Sequence, residues 1–355
     1  MKPIFILAAI LIFGVLVAVH ELGHFLAAKL CGVRVNEFSI GMGPLVWHKE
    51  TEETQYSWRL FPIGGYCAME GEDEDTGDQR SFVRQGFWKK FLILVAGSGM
   101  NFLAGVLIIL ALFAGSESFY RDQIVGFAPG FPLEGEDGLM VGDVFYKIDG
   151  YRTYLKGDAL MFLEYNDGEG IDLEILRNGE KIVLKDFPMY RGTYNGEAGK
   201  FGLTVGAEEI PATLGAKLQY TWYQALDFVQ LVRFSLVQLF TGGASVKDLS
   251  GPVGIVSTIT EVGTALEEKN GLGVAFVNVF YFAALLAVNL AVMNMLPIPA
   301  LDGGRVFFLV VDAVSLRLFK RKVPEKYQAA VNTVGFVVLM GFMLLVTLQD
   351  VWKLL

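Results

Sequence analysis

The chain has 355 residues, 53% of them hydrophobic and 19% charged, with a mean hydropathy of +0.45. Soluble domains carry about 25% charged residues, so the composition is that of an integral membrane protein with length to spare for a folded extramembrane domain. The formal net charge of −9 argues against a nucleic-acid partner.

Residues 4–30 form the first of four stretches apolar enough to cross a bilayer, which takes ~20 residues. Lys2 is the only basic residue ahead of it and no A-x-A-like cleavage site follows, so the segment is read as retained. Within it stands His20-Glu21-Leu22-Gly23-His24. Histidines four apart share one helix face, and here a glutamate follows the first. That spacing holds zinc with two imidazoles and keeps a carboxylate next to the water the metal activates. At membrane depth, such a site implies hydrolysis of a bond in or near the bilayer. The competing reading is a pair of structural histidines bonded to backbone carbonyls, which suits a lone histidine better than this pair.

Val33–Ile40 and Gln55–Phe61 alternate like strands, with bends at Gly41, Gly43, Pro62 and Gly64-Gly65. They predict one or two hairpins over 33–70, partly buried under the metal site. A solvated cytoplasmic hairpin is the alternative. Segment 33–66 offers an edge for a substrate strand, with 55–61 the expected position. Glu70–Asp78 reads as an acidic loop. The second span, 91–115, follows the aromatic and basic anchor Phe87-Trp88-Lys89-Lys90. Its Gly97-Ser98-Gly99 and Gly105 permit close helix approach.

Segment 120–205 reads as a small mixed domain. Gly138–Gly150 is a turn, a strand and a turn, and 157–165 is helical. Ile171–Leu184 is a hairpin turning at Asn178-Gly179. Segment 212–241 is amphipathic. A fifth span is the alternative there, but Asp227 and Arg233 would each cost ~2.5–3.5 kcal/mol at its centre, so an interfacial or packed helix is preferred. The third span, 274–297, ends at Pro297-Ile298-Pro299, and the fourth covers 331–352.

Basic residues near the span ends set the orientation. Segment 31–90 carries Arg34, Lys49, Arg59, Arg80, Arg84, Lys89 and Lys90, and 302–330 carries Arg305, Arg317, Lys320, Arg321, Lys322 and Lys326. Both belong in the cytoplasm. Segment 116–210, with eighteen Asp and Glu against nine Lys and Arg, lies outside with both termini. Cys31 and Cys67 then face the cytoplasmic side, where a structural disulfide is not expected.

Two histidines leave zinc short of a third protein ligand. The remaining histidine, His48, belongs to the hairpin, so an Asp, Glu or Cys at matching depth is required. Asp302 is the candidate, at the end of Asn294-Met295-Leu296-Pro297-Ile298-Pro299-Ala300-Leu301-Asp302 and followed by Gly303-Gly304. It can also cap a helix beginning at Gly303, and the two roles are compatible. Asn294 and Asn289 can serve as interhelical hydrogen bonders.

These residues carry a resemblance. His20 through His24 and Asn294 through Gly304 resemble the two signatures of the site-2 protease family, in its regulator-of-sigma-E form. Phe61-Pro62-Ile63-Gly64-Gly65-Tyr66 is similar to the family's membrane-associated β segment, and Gly138–Gly150 to a PDZ domain. Ser250-Gly251-Pro252-Val253-Gly254-Ile255 resembles a further family segment. The matches run in family order over nearly the whole chain, with room for one PDZ domain where some members carry two. The resemblance implies His20, His24 and Asp302 as zinc ligands, Glu21 as the catalytic carboxylate and a substrate-positioning role for Asn294.

The expected fold is a multi-span α-helical membrane protein with four transmembrane helices, a membrane-associated β-hairpin segment and one extracytoplasmic PDZ-like α+β domain. The expected divisions are 1–115, two spans with the zinc motif and hairpin; 116–210, the PDZ-like domain; 211–273, an amphipathic interfacial helix and linker; and 274–355, the last two spans with the third ligand. The expected activity is that of an intramembrane zinc metalloprotease in the bacterial cytoplasmic membrane. Its substrates would be single-span membrane proteins already trimmed outside by an upstream protease, such as anti-sigma factors or signal-peptide remnants. Membrane lipid is the other partner. A non-catalytic zinc-binding scaffold or chaperone would not need Glu21. A zinc transporter would spread ionisable groups along several spans.

Overall fold

The computed structural model describes residues 2–72, 76–165, 170–189, 191–194, 197–243, 245, 249–321 and 324–354. Residues 73–75 of the acidic stretch, and Lys322 of the basic loop, lie outside the described residues. In chain order the elements are α1 (Pro3–Cys31), β1 (Val35–Glu50), β2 (Gln55–Met69), α2 (Phe87–Phe113), β3 (Ser118–Phe127), β4 (Val144–Ile148), β5 (Tyr151–Arg152) and α3 (Asp158–Glu164). Then follow β6 (Ile171–Arg177), β7 (Glu180–Phe187), β8 (Gly192–Tyr194), β9 (Glu197–Lys200), β10 (Leu203–Pro211), α4 (Leu214–Thr241), α5 (Pro252–Asn270), α6 (Leu272–Asn294), α7 (Asp302–Phe319) and α8 (Glu325–Leu354). The chain forms two compact units, Met1–Ile108 with Phe234–Leu355, and Ile109–Arg233.

Four helices in the described residues are long and apolar enough to cross a membrane: Pro3–Cys31, Phe87–Phe113, Leu272–Asn294 and Tyr327–Lys353. They match the four expected spans. α1 starts with Pro3 in its first turn, where a missing N–H costs nothing. It stops at Gly32, whose φ of 76° suits glycine and lets its N–H close on the last turn. Phe5, Ala9, Leu16, His20, Gly23, His24, Ala27 and Cys31 form its buried stripe, while Leu7, Leu11 and Val15 face outward. Large aliphatic side chains on the outer face fit a helix surrounded by hydrocarbon rather than water.

β1 and β2 each bend, at Gly41 and Gly43 and at Gly64, all with positive φ. Each therefore pairs twice. Trp47, His48 and Lys49 oppose Trp58, Ser57 and Tyr56, while Phe38, Ser39 and Ile40 oppose Cys67, Tyr66 and Gly65. Tyr56, Ser57 and Trp58 also register against Phe38, Ser39 and Ile40. The stretch around Ser57 is thus held on both sides, and the expectation that 55–61 offers a free edge is corrected. The folding-back of both strands puts it inside, leaving 65–69 as an outer row. Ser57 is buried and donates its hydroxyl hydrogen to Glu37 Oε1 at 2.5 Å. Proline there would remove a ladder donor between two neighbours. Ser57→Pro should cut the folded yield from membranes severalfold, measured by size-exclusion chromatography, whereas Ser57→Ala should stay near wild type.

The second unit holds a sheet ordered β10-β3-β4-β6-β7, with β5 paired to β4. Asn178 and Gly179, at φ of 52° and 84°, make the tight β6–β7 turn that their sequence predicts. α4 is a single 28-residue helix and is not among the four apolar ones. Within this unit it packs on the sheet side: Gln230 accepts from the Arg152 N–H at 2.8 Å and donates to the Arg152 carbonyl at 2.7 Å. Tyr220 stacks on Phe119 at 4.4 Å between centroids.

Asp227 of α4 is 4% exposed and its Oδ1 has no partner. Burial, with the Asp158 charge acting in the same direction, pushes its carboxyl up to about 8. A carboxyl whose folded value lies above its unfolded one contributes full stability below the ordinary range near 4. That contribution is lost as pH rises toward 8. The protein should therefore melt at least ~3 °C lower at pH 8 than at pH 5, and Asp227→Asn should abolish most of the difference. An equal pH dependence in the variant, by thermal unfolding, would exclude Asp227 as the source.

Within the second stretch of the first unit, α5 occupies 252–270, inside the segment 211–273 expected to hold an amphipathic helix and a linker. Its Gly254 N–H donates to Asp350 Oδ2 of α8 at 2.8 Å, a carboxylate on a helix N-terminus. Gly263 lies so close to Phe5 of α1 that a Cβ would sit 2.8 Å from the ring. Two interior glycines give this segment weak intrinsic helicity, and packing supplies the rest.

Candidate metal centre

His20 and His24 lie one turn apart on α1, and α2 crosses them at glycine. A Cβ on Gly97 would fall 2.4 Å from His24 Nε2 and 2.8 Å from His20 Cε1, so only glycine lets the backbone come this near. Gly23 plays the reciprocal part, a Cβ there lying 2.3 Å from the Ala96 carbonyl oxygen. His24 Nδ1 is 2.8 Å from the Ile93 carbonyl oxygen. A carbonyl can only accept, so Nδ1 carries the hydrogen, and Nε2 is the ring atom left for a metal.

Asp302 arrives from the other end of the chain. After α6, the Pro297–Leu301 segment folds back over the first turn of α7. A Cβ on Gly303 would meet the Leu296 carbonyl oxygen at 2.2 Å, and one on Gly304 would meet that of Ile298 at 2.4 Å. The glycine pair is what lets the chain double back here. Leu301 holds the N-cap position without a side-chain bond, and Asp302 begins the helix itself. Its carboxylate turns to the histidines instead: Oδ2 is 3.0 Å from His20 Nε2 and 3.2 Å from His24 Nε2. The two Nε2 atoms are 3.2 Å apart. Arg305, one turn on, pairs with Glu72 beyond β2 and ties this end of α7 to the strand segment.

Among the described residues, His20, His24 and Asp302 make the one His/Cys/Asp/Glu group whose ligand atoms all lie within 4.8 Å. Two imidazole Nε2 atoms and a carboxylate oxygen converge, and Asp302 Oδ2 is buried without a hydrogen-bond partner, an arrangement that a cation at their centre would satisfy. Tetrahedral zinc with ~2.1 Å bonds needs ligand atoms ~3.4 Å apart, close to the spacing found. Two nitrogens and one oxygen leave a fourth position open, as catalytic rather than structural zinc sites do.

Glu21 sits beside this set and outside it. The Cys67 backbone N–H donates to its carboxylate, and a Cβ on Gly65 would lie 3.5 Å from its Cγ. The outer row of β2 therefore runs past the motif glutamate. Asn294 closes α6, half-buried, with no side-chain hydrogen bond to the described residues. Cys31 and Cys67 are buried free thiols, and His48 lies opposite Ser57 in the hairpin. None of the three joins the ligand group. Sequence reasoning did not single out the Ile93 carbonyl or the Cys67 N–H, because backbone groups carry no side-chain signature. Gly97 was legible as a close-approach residue, but not what it approaches.

The model of Peptidase family M50 matches residues 8–342. The chain belongs to this family, that of the site-2 proteases. A protein of Clostridium perfringens is 35% identical over 350 residues, covering 98% of each chain. The zinc metalloprotease RasP of Shouchella clausii is 30% identical over 434 residues, covering 98% of this chain and 99% of its own. The regulator of sigma-W protease RasP of Bacillus subtilis is 28% identical over 433 residues, covering 98% of each. This M50 member is a zinc metalloprotease and a membrane protein, and zinc is its metal.

Proposed function

We propose that this M50 protease cuts peptide bonds in or beside the transmembrane segments of single-span proteins whose outer parts have already been trimmed. The observation that carries this reading is the position of His20, Glu21 and His24 on an apolar, span-length helix, with Asp302 brought to the two imidazoles and the outer row of β2 alongside Glu21. His20, His24 and Asp302 hold the zinc. When bound, zinc polarises a carbonyl and lowers the pKa of water toward ~7. Glu21 takes the proton from the attacking water and delivers it to the leaving amine. The Cys67 N–H fixes the orientation of the Glu21 carboxylate.

A helical substrate hides its carbonyls in its own hydrogen bonds and must be unwound. The row 65–69, bonded on its inner side to 35–40, runs on the side of Glu21, and an added strand there would take the backbone groups that Glu21 and Glu72 do not. Asn294, at the same end of α6 as the Asp302 segment, holds the substrate backbone. Leu45, Val46, Trp47, Trp58, Leu60 and Phe61 expose their apolar side chains on the far half of the hairpin, which supports its contact with lipid.

The sheet and α3 over 116–210 act as a PDZ-like domain outside the bacterial cytoplasmic membrane. There the domain excludes uncut ectodomains. The divisions 1–115, 116–210, 211–273 and 274–355 follow this scheme. One relative's name ties it to control of a sigma factor. That supports anti-sigma-type membrane regulators as substrates here, along with an upstream protease that trims them.

The test uses the purified full chain in proteoliposomes with one single-span substrate, whole and outer-trimmed. The trimmed form should be cut at least ~10-fold faster, inside its apolar segment by mass mapping, and a zinc chelator should stop the reaction. Cuts confined to the soluble flanks would overturn the intramembrane reading, and equal rates would overturn the gating role of 116–210.

A further inference from the structure

The second ring nitrogens of the two histidines are treated differently. His24 Nδ1 has the Ile93 carbonyl at 2.8 Å, whereas His20 Nδ1 is buried without a partner. A zinc-ligating imidazole ordinarily donates its other N–H to a carbonyl or carboxylate, which fixes the ring and its tautomer. With Nε2 turned to Asp302, His20 needs an acceptor at Nδ1.

α1 and α2 run antiparallel, and their contacts give the register. Cys31 meets Lys89, His24 meets Ile93, Gly23 meets Ala96 and His20 meets Gly97. The next position on the same face of α2, four residues beyond Gly97, is Asn101. One turn further, Gly105 packs on Ala284 and Val288 of α6, so this face points inward throughout. Asn101 is 1% exposed, and its Oδ1 is buried without a partner. Helical side chains lean toward their own N-terminus. His20 therefore leans toward the level of Asn101, and Asn101 leans back toward that of Gly97. The register thus puts a buried imidazole nitrogen and a buried amide oxygen, both without a partner, at adjacent levels of α1 and α2 beside the metal centre.

The geometry points to Asn101 as a positioning residue that accepts the His20 Nδ1 hydrogen through its amide oxygen and aims His20 Nε2 at zinc. The inference rests on His20 being a zinc ligand, as proposed above. Asn101 touches neither zinc nor substrate and acts through the ring. Ser98, also buried with an unpartnered hydroxyl, lies one position past Gly97 and so about 100° around the helix from it.

The experiment measures zinc retained by the purified full chain against a graded chelator, for wild type, Asn101→Leu, Asn101→Asp and His20→Ala. Asn101→Leu keeps the volume but loses the acceptor, and should weaken zinc about 10- to 100-fold. Asn101→Asp keeps an acceptor and should hold zinc at least as tightly as wild type. If Asn101 merely joined helices, the order would invert, because a buried, unpaired carboxylate is the more disruptive change. Loss of zinc in His20→Ala with wild-type retention in Asn101→Leu would overturn the role of Asn101 alone. Wild-type retention in His20→Ala would overturn the ligand assignment beneath it. If Asn101→Leu fails to fold, Asn101→Asp decides: retention below about one-tenth of wild type overturns the inference, and wild-type retention upholds it.

Discussion

Glu21→Gln should leave the protein folded and loaded with zinc while cleavage falls at least ~10²-fold, the scale of general acid–base catalysis. The expectation comes from where Glu21 stands. It is next to His20 in sequence but lies outside the ligand group, and its carboxylate accepts the Cys67 N–H. Glutamine keeps the size and an oxygen acceptor for that N–H, so the local packing survives. It cannot take a proton from water at neutral pH. Elemental analysis and a cleavage assay on the same preparation separate the two effects. Normal turnover by the zinc-loaded variant would remove Glu21 from the mechanism, and loss of zinc would instead make it a ligand.

Asp302→Ala should lower zinc affinity at least ~10²-fold, and Asn294→Ala should leave it within about threefold. Asp302 Oδ2 stands 3.0 and 3.2 Å from the two Nε2 atoms, so its loss leaves two imidazoles to hold a cation that prefers at least three protein ligands. Asn294 lies eight positions earlier in the chain and outside the ligand group. Its removal should appear in the Michaelis constant or cut-site choice. Chelator competition on both variants is the measurement. Equal zinc retention in wild type and Asp302→Ala would rule Asp302 out as a required ligand.

Where sequence reading fell short, the missing information was of one physical kind. The strand propensity of 55–61 was legible, but its position was not. An edge and an inner strand carry the same alternation, and only the fold-back at Gly41, Gly43 and Gly64 puts Ser57 between two neighbours. α5 was not singled out as a helix of its own, and Gly254 and Gly263 give it weak intrinsic helicity. They are there to admit Asp350 and Phe5 from other helices. Asp302 could be named as a candidate, while its compatible role as a helix cap stayed open; the structure puts Leu301 at the N-cap.

By itself the sequence determined the four apolar helices, the hairpin turn at Asn178-Gly179 and the shared face of His20 and His24 on α1. Each of these is written within a few neighbouring residues. A run of aliphatic side chains, a pair of residues tolerant of positive φ, and two histidines spaced one helical turn apart need no distant partner to be recognised. Tertiary structure alone decided which row of β2 faces Glu21, that α2 must be glycine where it crosses the imidazoles, and that the carboxylate 278 residues beyond His24 meets both of them. Those depend on how closely separate backbones approach. That closeness is set by the atoms on both sides of a contact, and a linear sequence shows only one side at a time.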